Sequence, residues 1–267
     1  MEKPEYYPTI FQSIILVALY LFVFTLTPLL FLVSLAPLLG FDPNDILVGA
    51  TAELFGFGLL IFWIKRRYRL DYSTLISVKR LKFIYILPVI MVVLGAAILF
   101  SELDNLLKAL FAGHSLPNIA ESASWKSLLV LVVLTPMIEE IIFRGIILKG
   151  LLKHHPPYRA LMVSSLLFGF IYLKTWQFWA IIGWGVIAGW WYYRTNSLVL
   201  CILGRALLNS LTLIVVYLFR LEIRGFTTGF GPAVFQPLWF DGVGVILLVL
   251  GLMLMSQFFQ KEMRVGG

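Results

Sequence analysis

The stretch LTPMIEEIIFRGIIL, Leu134 to Leu148, sets Glu139, Glu140 and Arg144 into a run otherwise apolar enough for the interior of a lipid bilayer. Ionisable side chains at that depth are costly and face a cavity or a partner instead of lipid, so this run governs how the rest of the chain is read. Glu140 and Arg144, four residues apart, share one helical face, where the arginine can pair with the carboxylate or hold its rotamer. Glu139 points about 100° away, so the two acids need not share a site. A buried ion pair of purely structural role is the alternative to a functional one.

Outward from this run the chain stays apolar. Of its 267 residues 60% are hydrophobic and 13% charged, the balance of a polytopic membrane protein and not of a soluble domain. Runs near the length a spanning helix needs recur throughout and predict an all-α membrane bundle of about eight transmembrane helices. They cover 10–39, bent at Pro28 or Pro37, then 46–64, 83–100, 127–148, 158–173, 176–193, 197–219 and 239–259. No soluble segment is long enough for its own core, so residues 1–267 read as a single integral membrane domain. The first run is too long for a signal-peptide core and reads as a retained helix.

A formal charge of +7 would suggest nucleic acid in a soluble chain. Here the Lys and Arg residues cluster at the ends of apolar runs, where they orient helices, and no nucleic-acid partner is implied. The connection 65–82 carries Lys65, Arg66, Arg67, Arg69, Lys79, Arg80 and Lys82 against Asp71 and is assigned to the cytoplasm. With both termini inside, cytoplasmic segments hold 14 of the 21 cationic residues and outer segments five, leaving Arg144 and Arg205 within spans.

Other polar features carry less. The segment 101–126 reads as a short amphipathic element on the outer surface, and the Gly- and Pro-rich loop 220–238 as irregular chain on the same side. Trp176, Trp179, Trp190, Trp191, Tyr192 and Tyr193 suit interface belts or core packing. Gly185 and Gly189 form a GxxxG step suited to close packing within the bundle. His154 and His155 read as part of a solvated turn ended by prolines, and Cys201 as a small core residue.

Depth connects the polar exceptions. At 1.5 Å per residue, Glu140 lies roughly 13 Å below the cytoplasmic boundary, Arg205 about 12 Å, Asn209 about 18 Å and Tyr172 about 21 Å. These groups can meet near mid-membrane. Glu53 is a further acid within a span, placed either to pair with Arg205 or to lie near the outer surface.

Three ordered blocks, EEIIFRG (Glu139–Gly145), SSLLFGFIYL (Ser164–Leu173) and GWGVIAGWWYYRTNSLVLCILGRALLNSL (Gly183–Leu211), resemble the motifs of the CPBP family. That family comprises CAAX-type prenyl endopeptidases and bacteriocin-processing intramembrane proteases, and the resemblant core is 125–215. The resemblance implies a glutamate, two histidines and an Asn or Asp that together activate water for peptide hydrolysis. In this chain the motif positions are Glu139, Glu140, Arg144, Tyr172, Arg205 and Asn209, and tyrosine and arginine stand where the pattern implies histidine. An arginine cannot ligate a metal and tyrosine is a poor zinc ligand, so no cofactor is expected, zinc being implied only if the chain is a protease.

Two functions follow as expectations. In the first, the chain is a catalytically degenerate CPBP-type protein, a pseudoenzyme that binds or scaffolds another membrane protein or a lipid. In the second it is an intramembrane endopeptidase acting on membrane-associated or prenylated peptides, with Glu140 as base, Arg144 as orienter, and Tyr172 and Asn209 as oxyanion donors. A fixed cation at 205 stabilises the charged carboxylate and favours the first. A transporter is disfavoured because no repeated halves are present.

Overall fold

In a computed structural model, residues 7–35, 38, 40, 45–68, 82–111, 125–173, 177–215, 221–227 and 233–265 are described. Among them 87% are helical, there is no strand, and the helices number eight. Helix α1 is Ile10–Leu30 and continues through a wider, π-type turn at Phe31–Leu35. Thr9 opens it with a reciprocal cap, accepting from the Gln12 amide at 3.3 Å while its own amide donates to Gln12 Oε1 at 2.9 Å. That exchange satisfies two end groups that the helix itself leaves open. Pro28 lies inside α1, where the sequence places a bend, and Pro37 lies outside the described residues.

Helix α2 is Ile46–Tyr68, and α3 is Ile86–Phe111, preceded by a 3-10 turn at Phe83–Tyr85. Helix α4 is continuous but not uniform: Trp125–Leu128, a π-type stretch Leu129–Leu134, a regular turn Thr135–Glu140, a second π-type stretch Ile141–Leu148, and Lys149–His154. Then follow α5 (Pro157–Phe170), α6 (Phe178–Thr195), α7 (Leu198–Leu213) and α8 (Leu238–Val265). Among the described residues, four helical stretches are long and apolar enough to cross a membrane: Ile10–Leu30, Ile46–Tyr68, Phe83–Leu110 and Leu238–Lys261. Together these features make the chain an integral membrane protein.

Lipid gives apolar side chains little reason to leave it, so helices associate where small residues let backbones approach. The α3–α8 pair shows this directly. A Cβ placed on Gly95 would sit 2.5 Å from the Leu248 amide nitrogen, and one on Gly251 would sit 2.8 Å from Val92 Cγ2. Gly244 meets Ile98 in the same way, at 2.7 Å. Between α5 and α6, Gly185 faces Ser165 and Gly189 faces Leu161, with would-be Cβ contacts of 2.8 and 2.7 Å. The GxxxG step therefore packs inside the bundle.

One expectation needs correction. Residues 101–111 do not leave α3 to form a separate surface element; the helix runs on through them. Its polar face is satisfied by the loop that precedes α8: Asn105 Nδ2 donates to Gly225 O at 2.8 Å, and the Gln236 amide donates to Glu102 Oε2 at 3.0 Å. The polar composition signals a docking face for chain and not the end of a helix. The remainder, including Pro117, lies outside the described residues. The aromatic residues of α6 also divide: Trp191 and Tyr192 are buried core, whereas Trp179 and Tyr193 are exposed and suit an interface. Trp176 lies outside the described residues.

Candidate functional site

Helix α4 delivers both acids on a short regular segment between two π-type stretches. The Thr135 amide bonds to Val130 O, five residues back, and Pro136 follows in the first turn of the regular segment. In that register the carbonyl of Leu131 would take the amide hydrogen of residue 136, and proline has none. Asn209 of α7 supplies the missing donor, its Nδ2 lying 2.9 Å from Leu131 O. Asn209 thus supports the backbone that presents Glu139 and Glu140. Wide turns of this kind recur at functional positions in helices.

The two acids are almost completely enclosed, Glu139 with 2% of its surface exposed and Glu140 with none. Each has its own cation. Arg144 Nη1 donates to Glu140 Oε1 at 3.0 Å, and its Nη2 donates to the Gly185 carbonyl of α6 at 3.3 Å. Arg205 of α7 reaches Glu139 Oε2 with Nη2 at 3.4 Å, and the Tyr172 hydroxyl donates to Glu139 Oε1. Both arginines are buried as well, so four formal charges sum to zero in one enclosed cluster. Removing either member of such a pair strands the other.

Phe168 of α5 joins the two pairs. The guanidinium carbon of Arg144 lies 4.7 Å from its ring centre and that of Arg205 lies 5.5 Å away. Cations favour an aromatic face at such distances. Phe143 packs on the same ring at 4.6 Å, and Tyr172 meets it edge-on at 6.1 Å. The ring therefore sits at the centre of the contact between α4, α5 and α7.

The structure brings Glu139, Glu140, Arg144, Tyr172 and Arg205 together and sets Asn209 behind them. The pairing is finer than depth alone indicates: Arg205 and Tyr172 take Glu139, Arg144 takes Glu140, and Arg205 bonds to Glu139 instead of Glu53. Sequence reasoning did not single out Trp184. Its Nε1 donates to Glu140 Oε1 at 3.2 Å, and the available signal was that a buried indole N–H requires an acceptor. Glu140 Oε2, fully buried, has no hydrogen-bond partner among the described residues. Cys201 is buried with Sγ 3.2 Å from Ala188 O, as befits a core residue. His154 closes α4, and His155 and Pro156 form the extended turn into α5. Among the described residues, no group of three or more His, Cys, Asp or Glu side chains is placed to hold a metal ion.

An all-helical membrane bundle with an enclosed Glu-Glu-Arg centre on α4, completed from α5 and α7, resembles the CAAX protease-like membrane proteins through this part of the chain. The family model described as type II CAAX prenyl endopeptidase Rce1-like matches residues 121–211, and over this segment the chain is similar to that family. Residues 1–120 and 212–267 lie outside the match. No curated protein and no solved structure matches the chain.

Proposed function

We propose that this CAAX protease-like protein acts through binding, as a catalytically degenerate accessory or scaffold subunit for another membrane protein or a lipid. The observation that carries the reading is the closure of Glu139 by Arg205 and Tyr172, the residues at the two positions where the resemblance implies histidine. A carboxylate engaged by a permanent cation and a phenol is poorly disposed to work on water. The same donor set does not fit zinc, because a guanidinium is not a ligand and brings positive charge to the place a cation would occupy. The orientation that suits this reading puts both termini and the basic helix ends, including Lys65, Arg66, Arg67, Lys153 and Arg194, in the cytoplasm.

One observation favours the endopeptidase instead: Glu140 Oε2 retains an open acceptor beside the cluster. The donors that reaction needs are committed elsewhere, Tyr172 to Glu139 and Asn209 to Leu131 O. The deciding experiment presents the chain in proteoliposomes with prenylated and unprenylated membrane peptides. Binding without cleavage is expected from the wild type, and no cleavage from Glu140→Gln. Cleavage by the wild type that Glu140→Gln abolishes would overturn the proposal.

A further inference from the structure

One end of the bundle gathers cations from two helices. Helix α2 leaves its apolar run at Lys65, Arg66 and Arg67, and α4 leaves its own at Lys149, with Lys153 one turn further on. Residues 54–68 and 141–173 contain no Asp or Glu. The start of the chain joins the two helix ends. Tyr7 stacks on Tyr68 with ring centres 3.6 Å apart, and a Cβ built on Gly150 would run into Pro8 and sit 2.7 Å from Tyr7 O. The Arg67 guanidinium carbon lies 5.5 Å from the centre of the Tyr68 ring. The α2 and α4 cations therefore flank one Tyr7–Pro8 bridge. Arg66, Arg67 and Lys153 are exposed and Lys149 is half-buried. Burial and the neighbouring Lys153 ammonium push Lys149 below its usual pKa, the behaviour of a cation crowded by its own sign.

An apolar track runs beneath the α2 cations. Phe55, Leu59, Phe62 and Arg66 are spaced i, i+4, i+7 and i+11, a single stripe of the helix, and all four are exposed. Gly58 lies on the same stripe, and a Cβ built there meets nothing within 4 Å. An anionic phospholipid presents its chemistry in this order, phosphate at the boundary where apolar runs end and acyl chain below it.

We infer that the Arg66–Arg67 and Lys149–Lys153 pairs form a binding site for the phosphate headgroup of an anionic phospholipid, with an acyl chain along Phe55, Leu59 and Phe62. Guanidinium groups take phosphate oxygens two at a time, and ammonium groups add point charge. The site lies apart from the Glu139–Glu140 centre. Its failure would leave the cleavage result untouched, so the two are distinguishable.

The test titrates the full chain in neutral detergent with phosphatidylglycerol, phosphatidylcholine or inorganic phosphate and follows the melting temperature, which rises with any ligand that binds the folded chain. Phosphatidylglycerol should stabilise at about tenfold lower concentration than phosphatidylcholine, and phosphate alone should not stabilise. Arg66→Gln with Arg67→Gln, or Lys149→Gln with Lys153→Gln, should remove the preference. Lys149→Arg with Lys153→Arg should keep it, which separates lost charge from lost folding. Lys82→Gln with Lys261→Gln, at helix ends outside the site, should leave it unchanged. Equal stabilisation by the two lipids, a preference that survives both Gln pairs, or an equal loss from the Lys82 and Lys261 pair would overturn the inference. So would stabilisation by phosphate alone at the same concentration.

Discussion

The α3–α8 seam and the α4–α5–α7 centre hold helices together in opposite ways. The seam has glycines at Gly95, Gly244 and Gly251, which let the two helices approach closely, Gly95 against the Leu248 backbone and the others against Ile98 and Val92. The centre has large side chains, four of them charged, and closes through ion pairs that share the Phe168 ring. A seam of small residues gains contact area and tolerates lipid on either side. An ionic centre tolerates no loss of a member, because what remains is a charge without water. Adhesion and geometry are thus assigned to different halves of the bundle.

Substitutions can break this contrast. The largest effect is expected from Arg205→Ala, which leaves Glu139 with Tyr172 as its remaining partner and should cost about 3–5 kcal/mol, read as a lowered unfolding midpoint in mild detergent. Unchanged stability would remove the ion pair from the account. Gly95→Val tests the other half: its side chain meets the Leu248 backbone, and the helices must part at a cost of about 1–3 kcal/mol. If it proved neutral, the seam would be looser than the backbone contacts require.

How much of this was legible beforehand follows from the same contrast. Glu139, Glu140, Arg144 and Arg205 stand out in sequence because the bilayer makes each of them expensive, and the helical class follows from long apolar runs. The glycines of the α3–α8 seam carry no such mark; Gly95 and Gly251 become meaningful only when two distant helices are seen to touch. Trp184 is hidden among the other aromatic residues of α6, and Asn209 looks like a site residue until the proline at 136 explains the carbonyl it serves. The α3 extension through 101–111 reads in sequence as a surface element because a polar face bonded to a loop has the same composition as a face in water.

Smaller effects sharpen the comparison. Trp184→Phe keeps the ring and deletes the donor to Glu140, so it should cost about 1.5–3 kcal/mol and shift the melting temperature without changing helix content. The smallest effect concerns a surface pair outside both regions, Lys126 and Asp45. The hydrogen bond from Lys126 holds the Asp45 carboxyl below its usual value. A lowered acid contributes stability above its unfolded pKa and loses it as pH falls through the folded one. A slight decline in melting temperature should therefore appear on acidification below about pH 4, and Lys126→Ala should flatten it.

Metal content tests the central claim most directly. Elemental analysis of the full chain purified from membranes grown with zinc should find none in stoichiometric amount. The double variant Tyr172→His with Arg205→His, which removes the cation and the phenol from Glu139, should acquire it. Stoichiometric zinc in the wild type would contradict the account, because it would show that the Glu139–Arg205–Tyr172 cluster opens to a metal that its charges are arranged to replace.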